Sequence, residues 1–137
     1  NNIIMSINIK VYYEDTDASG RVYYANYLKY LERGRTDFLY NLGFDHKNLL
    51  NKFNFFFVVK TCNIEYLKPA NFEDILKVKT LILSFSKAKI EFKQYIYREK
   101  QLLIDSTVVI VSVNTEGKIS KMPNKMLKIL EHKFSEN

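Results

Sequence analysis

Tyr24-Ala25-Asn26-Tyr27-Leu28-Lys29-Tyr30-Leu31-Glu32-Arg33-Gly34-Arg35-Thr36-Asp37-Phe38-Leu39-Tyr40-Asn41-Leu42-Gly43 is the stretch that decides the fold. Its apolar residues recur at a spacing near 3.6. Tyr27, Leu28, Leu31, Gly34, Phe38 and Leu42 fall on one stripe, with Lys29, Glu32, Arg33 and Asp37 mostly elsewhere. The spacing predicts a helix from about Tyr24 to Leu42, roughly 28 Å long, stopped by Gly43 in the C′ position. The stripe is broad, so the helix should be largely buried. Gly34 sits on the buried face, where glycine costs about 1 kcal/mol in helix propensity. Close approach to a sheet would offset that cost.

Nothing else in the chain reads as a long helix. Upstream, Ile7-Asn8-Ile9-Lys10-Val11-Tyr12-Tyr13 alternates with period two, as a strand does. Downstream, four further stretches read as strands: Phe55 to Tyr66, Ile75 to Phe85, Ala88 to Tyr97 and Leu102 to Val113. Pro123 predicts a short terminal helix over Asn124 to Lys133, amphipathic through Met126, Leu127, Leu130 and Phe134. The order is strand, long helix, then a meander of four strands. One helix lying across a curled antiparallel sheet of about five strands satisfies it, an α+β domain over residues 1–137. A single such sheet leaves an exposed edge, which predicts edge-to-edge pairing into a homodimer or a higher homo-oligomer.

The composition agrees with one folded domain. Of 137 residues, 47% are hydrophobic and 26% charged, and Gly and Pro number only 4 and 2, which excludes collagen-like or disordered chains. The longest apolar run, Phe55 to Val59, is too short for a bilayer-spanning helix, and no stable membrane insertion is expected. No basic segment followed by an apolar one marks a signal peptide at the start. The single cysteine, Cys62, excludes an intrachain disulfide and any multi-cysteine metal site, and a reducing cytoplasm is its simplest setting. The net charge of +6 is spread without a run of five like charges. That fits a solvated basic surface or a phosphorylated small ligand, and no motif points to nucleic acid.

Chemistry should sit where Asp15-Thr16-Asp17-Ala18-Ser19-Gly20 meets the helix start at Tyr23-Tyr24-Ala25-Asn26. Unpaired N–H groups at a helix start can polarise a carbonyl and hold an oxyanion. A carboxylate beside them can attack that carbonyl or activate water. The same residue types also make turns and caps without any chemistry. Asp15-x-Asp17-x-Ser19-Gly20 mimics the opening of a calcium loop, but position 12 falls on Asn26 where a bidentate Glu is needed, and a strand precedes it. No metal site is expected there.

From Val11 through Tyr27, and again over Tyr30-Leu31-Glu32-Arg33-Gly34-Arg35, the sequence resembles the hotdog-fold acyl-CoA thioesterases. The resemblance is to the YbgC-like branch, associated with the bacterial Tol–Pal system, of the 4-hydroxybenzoyl-CoA thioesterase family. Ile64-Glu65-Tyr66-Leu67-Lys68-Pro69-Ala70 is similar as well, so the likeness spans about Ile9 to Pro123. It implies a long helix wrapped by an antiparallel sheet, and hydrolysis of an acyl-CoA to a free acid and coenzyme A without metal or bound cofactor. Asp17 matches the family's catalytic carboxylate, as nucleophile or general base, and the Tyr24 backbone N–H would polarise the thioester carbonyl. Gly20, Val22, Tyr23, Asn26 and Tyr27 would line the substrate site. YbgC-like members commonly carry His where Tyr24 stands, the hydroxybenzoyl-CoA branch carries an aromatic residue there, and Ala is usual in place of Gly34. A non-catalytic hotdog module that binds acyl-CoA or acyl carrier protein is the alternative, and Asp17 is what it would not need.

Several residues remain. Lys87, Lys89 and Lys93 share a strand face, either a solvated surface or, for Lys87 and Lys89, a contact to the phosphates of coenzyme A. Arg98, Lys118 and Lys121 are weaker candidates for the same contact. His46, in a loop after the helix, and His132 lack metal spacing. Cys62 reads as a small core residue.

Overall fold

The structure, a computed structural model, describes residues 3–135; the ends of the expected domain, residues 1–2 and 136–137, lie outside the described residues. Five strands and three helices run in the order β1 (Met5–Lys10), α1 (Asn26–Asn41), α2 (His46–Phe53), β2 (Phe55–Tyr66), β3 (Ile75–Phe85), β4 (Lys89–Arg98), β5 (Gln101–Asn114) and α3 (Asn124–Ser135). The strands form one antiparallel sheet ordered β1-β3-β4-β5-β2, curled around α1. This is the hotdog arrangement. Among the described residues, no helix is long and apolar enough to cross a membrane.

Four expectations need correction. First, β1 ends at Lys10, and Tyr13–Asp15 form a short 3-10 turn instead of more strand. The Asp15 carboxylate draws the chain round by accepting the Tyr12 N–H at 3.0 Å. Second, β2 to β5 are not a simple meander. β2 pairs with β5, from Phe55 opposite Asn114 to Tyr66 opposite Ile104, so residues 67–74 cross the end of the sheet to reach β3. The loop before α1 holds that crossing, with the Val22 N–H donating to Ala70 O at 2.9 Å and Arg21 bridging Asn71. Third, His46 opens a second helix, α2. Asp45 caps it by accepting the Asn48 N–H at 2.8 Å, and Asn54 ends it in the left-handed region at φ 58. Eight residues are too few to display a helical period. Fourth, Cys62 is exposed, because β2 is an edge strand and lacks a neighbour on one side.

The buried face of α1 comprises Tyr27, Tyr30, Leu31, Gly34, Arg35, Phe38 and Leu39, whereas Leu28 is 47% exposed. Gly34 sets this orientation. A Cβ there would meet Val78 Cγ1 at 2.8 Å and Gln94 Nε2 and Thr80 Oγ1 at 2.9 Å, so the helix backbone rests directly on the sheet. That contact divides the core in two. Toward the helix start, Tyr27, Tyr30 and Leu31 pack on Ile9, Val11, Leu76, Val78, Ile96 and Ile104. Toward its end, Phe38, Leu39 and Leu42 pack with Phe92, Val108 and the helices α2 and α3 through Leu49, Met126 and Leu130. Between the halves lies a buried polar layer. Gln94 Nε2 donates to Leu31 O and Thr80 Oγ1, both at 2.9 Å, and Arg35 donates to Gln94 Oε1 at 3.0 Å. Satisfying these groups is what makes their burial tolerable.

Candidate active site

The acidic loop is a closed turn. The Asp17 N–H donates to Arg21 O at 2.8 Å and the Gly20 N–H to Asp17 O at 3.0 Å, with Gly20 at φ 81, where a side chain would be strained. The two carboxylates face different tasks. Asp15 is held in the turn by the Tyr12 N–H, and its backbone oxygen accepts the Tyr23 N–H at 3.0 Å and Asn26 Nδ2 at 2.8 Å. Asp17 stands exposed at the tip. Its Oδ1 accepts the Ser19 hydroxyl at 2.5 Å and the Ser19 N–H at 2.9 Å. The hydroxyl bond, then the N–H bond, lower the pKa of Asp17, so the carboxylate is ionised at neutral pH.

Asp17, Arg21, Val22, Tyr23, Tyr24, Tyr27, Tyr66, Leu67, Lys68 and Pro69 surround one open cleft of about 430 Å³. Its floor is aromatic. The rings of Tyr27 and Tyr66 meet edge to face at 5.6 Å, and the Tyr27 hydroxyl accepts the Ala70 N–H at 2.9 Å, which fixes the crossing segment beneath the cleft. Tyr23 and Tyr24 pair at 4.7 Å, and the Tyr66 hydroxyl donates to Tyr24 O at 3.3 Å. The Tyr24 N–H, one residue ahead of the Ala25 cap position of α1, donates to no acceptor among the described residues. The cleft therefore presents an ionised carboxylate, a free N–H at a helix start and an apolar aromatic floor. That set can hold a carbonyl compound and attack it.

The structure brings Asp17, Val22, Tyr23, Tyr24 and Tyr27 together, with Gly20 in the turn behind them. Asn26 is turned away and holds Asp15 O. Lys87 and Lys89 are elsewhere. Lys89 pairs with Val111, seven residues along β4 from Ile96, whose partner Ile104 adjoins Tyr66 at the cleft. That separation is roughly 23 Å along the strand. Lys93 is engaged by Asp105 at 2.6 Å and Arg98 by Asp74 at 2.7 Å. The cations at the cleft are Arg21 and Lys68. Lys68 escaped the reading of the sequence, as did Tyr66, because only the crossing of residues 67–74 carries the end of β2 to the acidic loop, where Arg21 already stands.

The sequence profile of the thioesterase-like superfamily matches residues 11–130. The chain is 41% identical over 109 residues to acyl-CoA thioesterase YbgC of Haemophilus influenzae, covering 80% of each. It is 38% identical over 107 residues to acyl-CoA thioester hydrolase YbgC of Escherichia coli, covering 77% of this chain and 79% of that one. Among solved structures, a probable thioesterase from Bartonella henselae superposes with a TM-score of 0.85 at 35% identity, over 88% of this chain and all of the other. The protein belongs to the thioesterase-like superfamily, with YbgC thioester hydrolases among its relatives.

Proposed function

We propose that the protein is an acyl-CoA thioesterase in which Asp17 and the Tyr24 N–H carry out the chemistry. One observation carries the reading: an ionised carboxylate and an unpartnered helix-start N–H border the same aromatic-floored cleft. The identity to YbgC hydrolases supports the substrate class. The thioester carbonyl oxygen sits against the Tyr24 N–H, which stabilises the negative charge that develops on attack. Asp17 attacks the carbonyl carbon and expels the thiolate of coenzyme A, leaving a mixed anhydride that water cleaves. In the other route Asp17 takes a proton from water, and the water oxygen attacks.

Arg21 and Lys68, the cations at the cleft, would meet the phosphates of coenzyme A or the phosphopantetheine of an acyl carrier protein. The open edge of β2 and the exposed flank of α1 favour a homodimer or a tetramer of dimers. The single free thiol fits a cytoplasmic setting. Thiol release from short, long and aromatic acyl-CoAs tests the activity. Hydrolysis of at least one, lost in Asp17→Asn, is expected, and no turnover of any would refute it. A single turnover in 18O-labelled water tests for direct attack, since label enters the Asp17 carboxylate only when water opens the anhydride at the Asp17 carbonyl.

A further inference from the structure

A second cavity, of about 180 Å³, lies between α1, α2 and β2, with walls from Leu39, Phe44, Leu49, Phe57, Val59 and Ile110. Into this apolar wall the helix sets Arg35, a residue only 9% exposed. Its guanidinium is fixed by Gln94, itself fully buried, at 3.0 Å. It forms no ion pair among the described residues. Of its titratable neighbours, Cys62 on β2 influences it most, then Glu32, one turn earlier on the rim, whose carboxylate accepts the Thr36 hydroxyl at 3.4 Å. Gln94 takes one N–H of the guanidinium, and the planar fork that Arg35 presents is shaped for a carboxylate.

The cleft and the cavity both border α1, the cleft through Tyr27 and the cavity through Arg35 and Leu39. Leu28, Arg35 and Leu39 follow one another at i, i+7 and i+11, on one side of α1. Leu28, left exposed by the protomer, lies between the two. From Asn26 to Arg35 the helix rises about 14 Å, the length of an acyl chain of roughly twelve carbons.

Resting on the thioesterase reading, we infer that Arg35 and this cavity form a subsite for the far end of an acyl chain bearing a terminal carboxylate. The apolar seam accepts the methylene chain, and Arg35 pairs with the carboxylate.

The test compares the mono-coenzyme A thioester of dodecanedioic acid with lauroyl-CoA, in the parent and in Arg35→Met. The parent is expected to favour the carboxylated chain by about tenfold or more in kcat/KM, and Arg35→Met to reverse that preference. Equal or better use of lauroyl-CoA by the parent overturns the inference, whatever happens to the variant. So does an equal loss on both substrates, the pattern expected if a carboxylate of a second copy fills the site. Calorimetric titration with free dodecanedioate and laurate decides the matter even if neither thioester is hydrolysed. Dodecanedioate bound by the parent and lost in Arg35→Met keeps the subsite while the hydrolase reading falls; no binding removes the subsite.

Discussion

The Ser19 hydroxyl and the Ser19 N–H converge on one oxygen of Asp17, at 2.5 and 2.9 Å. A two-residue step thus builds its own anion holder at the tip of the loop. It holds the folded-state pKa below the ordinary 3.8. A group shifted this way favours the fold above its ordinary pKa, and the benefit is lost as pH falls through the folded value. Ser19→Ala removes the larger of the two bonds. The acid limb of kcat/KM against pH is expected to move upward in this variant. An unmoved limb would mean that Asp17 is not the group that titrates.

The two aspartates should separate cleanly. Asp17→Asn is expected to lower kcat by a factor of about 10² to 10⁴, with the thermal midpoint lowered only slightly, because the side chain is exposed and the amide oxygen of Asn can still accept the Ser19 bonds. Asp15→Asn is expected to cost about 1 kcal/mol of stability, since the Tyr12 N–H loses a charged acceptor, while activity falls less. Paired kcat and denaturation measurements on both variants check the division.

Gly34 should resist even alanine. Alanine favours a helix by about 1 kcal/mol, but its Cβ would press on Val78 and on a Gln94 amide pinned by two hydrogen bonds. Overpacking of this kind costs about 1 to 3 kcal/mol. Gly34→Ala is therefore expected to lower the urea midpoint, and a gain in stability would show that the helix can lift off the sheet freely.

Charge removal at the cleft should be felt in KM. Arg21→Ala with Lys68→Ala is expected to raise KM for an acyl-CoA about tenfold at low ionic strength, less at high, with kcat changed little. Lys87→Ala with Lys89→Ala should do less, given their place at the other end of β4. The reverse order would indicate that those lysines reach the cleft of a second copy.

Val59 is 51% exposed on the free edge of β2. Val59→Glu should cost the isolated fold little, yet oppose pairing with another copy. Sedimentation is expected to show a dimer for the parent at micromolar concentration and a smaller species for the variant.

Elements with a clear period were legible in the sequence. The helix, the four downstream strands and the acidic loop all stand close to where the spacing put them. Which neighbour a strand chooses carries no periodic signal. The pairing of β2 with β5 depends on the crossing near Pro69 and Ala70, and that pairing brought Tyr66 and Lys68 to the cleft. Side-chain orientation was also hidden. Leu28, expected on the buried stripe, is exposed while Arg35 is buried, and an arginine facing the core contradicts any reading from hydrophobicity alone.

The break in register between Val59 and Thr61 leaves Lys60 as the extra residue in the middle of the free edge. Before it stands Phe55-Phe56-Phe57-Val58-Val59, apolar, rich in strand formers and without charge, the composition from which amyloid zippers are built. A chain just released from the ribosome, before it meets another copy, offers this ribbon to any extended peptide nearby. The bulge cuts the ribbon's ladder short, and the lysine charges it where an intruding strand would continue. A charge at this place is what keeps an edge strand from extending, so Lys60→Val is expected to speed aggregation of the unpaired chain.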